Sequence, residues 1–167
     1  MTTAQTRRIA TRPEDLATPQ EMLERSGLEF MQDMLAGKLA GPPIGSTLNY
    51  WPESVTDGEV VFVGAPQFAH TNPMGTIHGG WYGTVLDSCM ACAVMTRVPK
   101  GSVYTTLEYK VSILRSIPIG MMVRATGRVQ HAGRSTGVAE GEIRGIEDGK
   151  LYATGTTTCI IMKMTKA

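Results

Sequence analysis

Residues 81–98 read Trp81-Tyr82-Gly83-Thr84-Val85-Leu86-Asp87-Ser88-Cys89-Met90-Ala91-Cys92-Ala93-Val94-Met95-Thr96-Arg97-Val98, with no proline before Pro99. A run this long and this apolar is one long helix with little polar face, and such a helix is stable only when other elements cover it. The rest of the C-terminal half supplies the cover. After residue 102 the pattern changes to period two. Leu107, Tyr109, Val111 and Ile113 alternate with Thr106, Glu108, Lys110 and Ser112. Val123, Ala125, Gly127 and Val129 alternate with Arg124, Thr126, Arg128 and Gln130, and Ala139, Gly141, Ile143 and Gly145 with Glu140, Glu142 and Arg144. Pro118, Ala132-Gly133 and Asp148-Gly149 punctuate the run, and a last strand spans about Leu151 to Met162. These strands predict an antiparallel meander with one face buried, curled around the helix in an α+β architecture.

Upstream, residues 1–17 are polar and aperiodic and read as a flexible or loosely docked arm. Residues 18–44 form an N-terminal helical segment. Met22, Leu23, Leu28, Phe30, Met31, Met34 and Leu35 recur at helical spacing, with an interruption near Gly27 and a stop at Gly41-Pro42-Pro43. Residues 45–167 make the main domain. It opens with two short strands, Thr47–Trp51 and Glu59–Gly64, joined through Asp57-Gly58, and continues into a turn-rich loop at 65–78.

The chain has 167 residues, 42 % hydrophobic and 19 % charged, which suits one globular domain with its own core. A formal net charge of +1 gives no basic excess and argues against a nucleic-acid partner. The longest apolar run, Met90 to Met95, is far short of the ~18 residues a membrane span needs. No apolar segment follows the N-terminal Met-Thr-Thr-Ala-Gln-Thr-Arg-Arg, and three cysteines, Cys89, Cys92 and Cys159, are too few for a disulfide scaffold. The expected location is the cytoplasm. The pair Cys89-Met90-Ala91-Cys92 lies inside the helix rather than at its start, so both read as core residues. His70, His78, His131 and the cysteines have no zinc-site spacing, and no metal is expected.

Between Glu59 and Arg97 the only formally charged side chain is Asp87. Aspartate is a poor mid-helix residue, and an unpaired buried carboxylate is costly, so it has a partner or a shifted pKa. It reads either as a catalytic carboxylate or as a structural Asp hydrogen-bonded to loop backbone. His78-Gly79-Gly80 begins the helix, where free N–H groups and the positive dipole end favour a developing oxyanion. The same tripeptide also reads as an ordinary glycine-rich helix start. Eight residues separate Gly79 from Asp87, about 12 Å of helical rise. That is too far for both to act on one carbonyl, and it points to one subunit's helix start facing another subunit's Asp87.

The segment Asn72-Pro73-Met74-Gly75-Thr76-Ile77-His78-Gly79-Gly80, followed by Asp87, resembles the active-site segment of hotdog-fold acyl-CoA thioesterases, in particular the phenylacetate-pathway (PaaI-like) branch. Tyr104–Lys110 and Ile113-Leu114-Arg115-Ser116 resemble the strand that follows the helix there, and the likeness runs over roughly residues 45–165. Ser116 departs from the proline common in the family. The resemblance implies that Gly79 donates its N–H to the thioester carbonyl, with Gly80 beside it and His78 shaping the loop. Asp87 would act as nucleophile or general base, Asn72 would orient water or carbonyl, and Thr106, or failing it Thr105, would position the water. Arg134, Ser135 and Thr136, in a turn similar to the family's nucleotide-side loop, would meet coenzyme A; Arg134 reads equally as a solvated side chain at a hairpin. Trp81 is expected to pack on the acyl group, with burial at the dimer contact as the other reading. The resemblance further implies a homodimer or tetramer with active sites at the subunit interface. Coenzyme A enters as part of the substrate, with no other cofactor. A non-catalytic acyl-CoA binding or sensing protein and a hotdog dehydratase or hydratase are the alternatives.

Overall fold

The computed structural model describes residues 7–164. Part of the expected N-terminal arm, residues 1–6, therefore lies outside the described residues. Residues 8–10 of that arm are docked on Gly41. Ala10 N–H donates to the Gly41 carbonyl and Gly41 N–H to the Arg8 carbonyl, both at 2.9 Å, and Ala10 is buried.

The helical segment that follows is not one helix. Helix α1 spans Pro19–Leu23, α2 Gly27–Leu35 and α3 Ile44–Thr47. Each of the first two starts on a capping box, Thr18 with Glu21 and Ser26 with Glu29. The break falls where Gly27 meets the end of the central helix. Its N–H donates to the Val98 carbonyl at 2.9 Å, and a Cβ at this position would collide with the Met95 carbonyl.

Strands β1 (Tyr50–Thr56) and β2 (Glu59–Gly64) form a hairpin, the central helix α4 spans Gly79–Met95, and β3 to β6 cover Ser102–Ile113, Val123–Ala132, Thr136–Gly145 and Leu151–Lys163. All pairings are antiparallel in one six-stranded sheet ordered β1-β2-β4-β5-β6-β3. The expected four-strand meander is thus corrected: β4, β5 and β6 form a meander, but β3 lies beyond β6 at the far edge and β2 takes its place beside β4. Residues 114–122 carry the chain back past the start of α4. Within them Ile117 is buried, and its N–H donates to the Tyr82 hydroxyl at 2.8 Å, which anchors the crossover.

The sheet wraps α4, whose Tyr82, Val85, Leu86, Cys89, Met90 and Val94 are buried, each apolar side chain contributing ~1.5–3 kcal/mol against exposure. Close approach needs missing side chains on the sheet; a Cβ on Gly127 would occupy the space of the Cys89 carbonyl. On β5 the inward residues are those expected, Ala139, Gly141, Ile143 and Gly145. On β3 they are not. A bulge between Thr106 and Glu108 leaves Leu107 as the extra residue, 62 % exposed, and shifts the phase of the strand. Tyr109 and Ile113 face α4 below the bulge, and Tyr104 and Thr106 face it above. A long helix enclosed by a single antiparallel sheet is the hotdog arrangement.

Candidate active site

One stripe of α4 is left partly open by the sheet: Gly80, Thr84, Asp87, Ser88 and Cys92. At i, i+4, i+7, i+8 and i+12 these residues share one side of the helix. Asp87 is half-buried on this stripe, and Thr106 Oγ1 donates to its Oδ1 at 3.0 Å. Burial pushes the Asp87 carboxyl above its ordinary value of 3.8, and the Thr106 hydrogen bond, which favours the carboxylate, pulls the other way. Neighbouring thiols and phenols are kept protonated by burial: Cys92 is pushed up to about 12, and Cys159, Tyr50 and Tyr104 are raised as well. None of them competes with Asp87 as a base at neutral pH. All three cysteines are free thiols; Cys89 is buried in the core as expected, whereas Cys92 is only partly buried and lies on the open stripe.

His78 is the N-cap of α4. Its Nδ1 accepts from Gly80 N–H at 2.9 Å, so that donor is engaged within the loop. The N–H of Gly79, the first helical residue, has no intrahelical partner. Of the two glycines, Gly79 therefore presents the available donor. Its surface is open, for an added Cβ would meet only Ile113 Cδ1 at 3.5 Å. One turn on, a Cβ at Gly83 would approach the Tyr109 hydroxyl to 3.3 Å. Ile113 and Tyr109 of β3 thus pack along α4 beside Gly79 and Gly83.

The loop before the helix is built around Asn72. Its Oδ1 accepts from Met74 N–H at 2.9 Å and Thr76 N–H at 3.3 Å, and its Nδ2 donates to Thr76 Oγ1 at 2.9 Å. The Asn72 side chain thereby holds the loop in shape through Met74 and Thr76. His70, which sequence reasoning had weighed only as a metal ligand, is a second organiser. Its Nδ1 accepts from Gln67 N–H, its Nε2 bonds the Thr47 carbonyl at 3.0 Å, and its own carbonyl accepts from His78 N–H at 2.9 Å.

Other expected residues fall elsewhere. Thr105 alternates with Thr106 and points to the opposite face of β3. Trp81 is 2 % exposed, and its Nε1 donates to the Leu48 carbonyl at 2.8 Å, so the structure corrects its expected place on the acyl group. Arg134, Ser135 and Thr136 are exposed at the β4–β5 turn. Thr136 aligns with Ile160 and Ile160 with Thr105, which sets the turn about 10 Å, two strand spacings, from β3. The pairing of Tyr50 with Ser88, whose hydroxyls lie 2.8 Å apart, had no sequence signal, because the partners are 38 residues apart.

The family model described as "Thioesterase superfamily" matches residues 74–152, from the loop ahead of α4 into the start of β6. A candidate thioesterase from Ralstonia eutropha JMP134, described as related to phenylacetic acid degradation, is 31 % identical and superposes with a TM-score of 0.72, over 78 % of this chain and 98 % of that one. Among curated proteins, a candidate esterase of Caenorhabditis elegans is 33 % identical over 108 residues, 65 % of this chain and 63 % of that protein. Mouse acyl-coenzyme A thioesterase 13 is 28 % identical over 89 residues, 53 % of this chain and 63 % of that protein. The chain thus spans just under two thirds of the length of these two curated relatives. It belongs to the thioesterase superfamily. Among the described residues no helix is long and apolar enough to cross a membrane.

Proposed function

We propose that this chain hydrolyses an acyl-CoA thioester to a free acid and coenzyme A. The observation that carries the reading is Asp87: a half-buried carboxylate on the open stripe of α4, held among the described residues by the Thr106 hydroxyl. Likeness to acyl-coenzyme A thioesterase 13 supports the substrate class.

The chemistry follows from the groups present. The Gly79 N–H, at the positive end of α4, polarises the thioester carbonyl and stabilises the oxyanion that develops on it. Asp87 either takes a proton from water as the water oxygen bonds to the carbonyl carbon, or itself attacks to give a mixed anhydride that water then opens. In both routes the carbon–sulfur bond breaks and the thiolate takes up a proton; in the base route the acid carries the water oxygen, and in the anhydride route water opens one of the two carbonyls and restores the Asp87 carboxylate. Thr106 fixes the direction of the carboxylate, and His78, Asn72 and His70 hold the loop that presents Gly79. Arg134, Ser135 and Thr136 are the residues proposed to meet coenzyme A.

About 12 Å of helix between Gly79 and Asp87 keeps them from sharing one carbonyl within a chain. The proposed active unit is therefore a homo-oligomer in which Gly79 of one subunit faces Asp87 of the next. The edge strand β3 supports this. It is twelve residues long and exposes Leu107, Tyr109 and Ile113, the kind of edge that a second copy covers. The three free thiols suit the proposed cytoplasmic location. The dehydratase reading loses support because both histidines near α4 are engaged in loop structure, His78 with Gly80 and His70 with Gln67 and Thr47.

The test is thiol release from a panel of acyl-CoA esters by wild type and by Asp87→Asn. Turnover by wild type and its loss in the folded variant support the proposal. Binding of the esters without any turnover by wild type points to the non-catalytic reading.

A further inference from the structure

We infer that the segment ahead of the sheet, together with β1 and β2, walls a chamber for a long or bulky apolar acyl group, and so sets which thioesters this chain prefers. The inference rests on the thioester reading above and adds a substrate class to it.

The chamber has a volume of about 760 Å³ and lies between α2, the 41–46 segment, β1, β2 and α4. That is within the ~300–1,000 Å³ of pockets that enclose a drug-sized ligand, and much more than an acetyl group fills. Its wall is apolar: Met34, Leu35, Ile44, Phe62 and the ring of Tyr50. Charged residues line it only where the chain is exposed, at Arg7, Arg8 and Glu53. There Glu53 is held by Arg124 at 2.8 and 3.0 Å, and the Arg7 guanidinium lies 3.7 Å above the Trp51 ring. An apolar chain therefore meets no unpaired carboxylate along the wall.

The other end reaches α4 at Ser88 and Cys92, on the same open stripe as Asp87. Ser88 follows Asp87 directly in the chain, and its hydroxyl is tied to Tyr50 Oη. Asp87 is also close enough for its charge to be felt at Tyr50 and Cys92. A group leading away from a thioester carbonyl beside Asp87 thus has an apolar space next to it. The walls from α2, the 41–46 segment, β1 and β2 all lie outside residues 74–152, the part matched by the family model. The reacting groups belong to the family's common segment, while the chamber is built by this chain's upstream residues.

Burying each methylene strengthens binding by about fourfold, so chain length is a sensitive readout. The experiment compares non-hydrolysable S-dodecyl and S-ethyl thioethers of coenzyme A by calorimetry, and kcat/KM for dodecanoyl-CoA and acetyl-CoA. It uses the full chain as wild type, Leu35→Trp, which fills the chamber from α2, and Ile44→Trp, at the exposed rim, with folding checked by circular dichroism. Wild type is expected to bind the dodecyl ligand more than about tenfold tighter than the ethyl one. That preference should collapse in at least one folded variant, while the ethyl ligand and acetyl-CoA change by less than about twofold. The inference is overturned if wild type shows no preference for the longer ligand, or if both folded variants keep it. If wild type shows a chamber-dependent preference yet hydrolyses no ester, the chamber stands and the catalytic reading falls.

Discussion

The Thr106 hydroxyl donates to Asp87 Oδ1 at 3.0 Å, and it can do so only because β3 carries an extra residue at Leu107. In an unbroken strand Thr106 would share a face with Glu108 and Lys110, opposite Tyr109 and Val111. With the bulge, Thr106 and Tyr109 both face α4, and Leu107 is thrown outward. A local defect in strand pairing thereby aims a hydroxyl at the lone carboxylate of the helix, a recurrent use of bulges beside active sites.

Removing that hydroxyl has a directional consequence. Thr106→Val keeps the β-branched shape and deletes the hydrogen bond that favours the carboxylate. Asp87, already raised by burial, moves further up, so the acid limb of the kcat/KM profile shifts to higher pH. Turnover at neutral pH should fall about 10–100-fold, the value of a hydrogen bond to a charged group. Thr106→Ser should restore much of both. An acid limb that stays put in Thr106→Val would contradict the assigned role.

Asp87→Asn separates function from stability. Thioester turnover should fall about 10²–10⁴-fold, the usual contribution of a positioned base. Stability should move the other way. A carboxyl whose folded-state pKa is raised opposes folding when ionised; the opposition is absent below the ordinary value of 3.8 and complete above the folded-state value. The variant should therefore melt higher than wild type at pH 7, and the gap should close as the pH is lowered through the folded-state pKa. Thermal unfolding across that range reads it directly.

Gly79 offers a clean deletion of a single donor. It is the first residue of α4, where proline is well accepted, and His78 before it has φ −61° and ψ 137°, a conformation compatible with a following proline. Gly79→Pro should fold and lose about 10²–10³-fold in kcat, as expected for one oxyanion donor. Gly79→Ala retains the N–H, places its Cβ in ordinary contact with Ile113, and should stay much closer to wild type. Equal losses in both variants would show that shape at this position matters rather than the N–H.

The helix–sheet contact is tested at Gly127. Gly127→Ala forces a methyl group onto the Cys89 carbonyl and should cost about 1–3 kcal/mol or more. For a chain of this size that lowers Tm by roughly 2–4 °C per kcal/mol, measurable by calorimetry.

Leu107→Lys tests the proposed oligomer. Leu107 is 62 % exposed on the edge strand, so the substitution should leave the subunit folded. If a second copy covers this edge, light scattering should show a shift toward monomer, with turnover lost in parallel because Gly79 and Asp87 no longer face each other across subunits.

The legible parts of the fold share one property: their signal lies within a few turns of sequence. The run from Gly79 to Met95 could be little else than a covered helix, and the alternation of Ala139, Gly141 and Ile143 marks the inner face of β5 as the structure has it. Asp87 stood out because a lone charge in a long apolar region demands a reason. The N-terminal segment was harder. Its apolar residues read as a helical segment interrupted near Gly27, but the reason for the break, the approach of Gly27 to the Met95 carbonyl, joins residues far apart in the chain.

Sequence alone therefore determined the helix, the faces of the central strands, the candidate carboxylate and the free-donor helix start, because periodicity, capping and charge are properties of neighbours along the chain. Tertiary structure alone decided that β3 pairs with β6 rather than β4, that Thr106 and not Thr105 meets Asp87, that Trp81 is buried and Asn72 is consumed by its own loop, and that residues from Met34 to Cys92 enclose a chamber. Strand order and cavities depend on which distant surfaces share a core, and a bulge exists only relative to the strand it pairs with. The chain by itself carries no local signal for either.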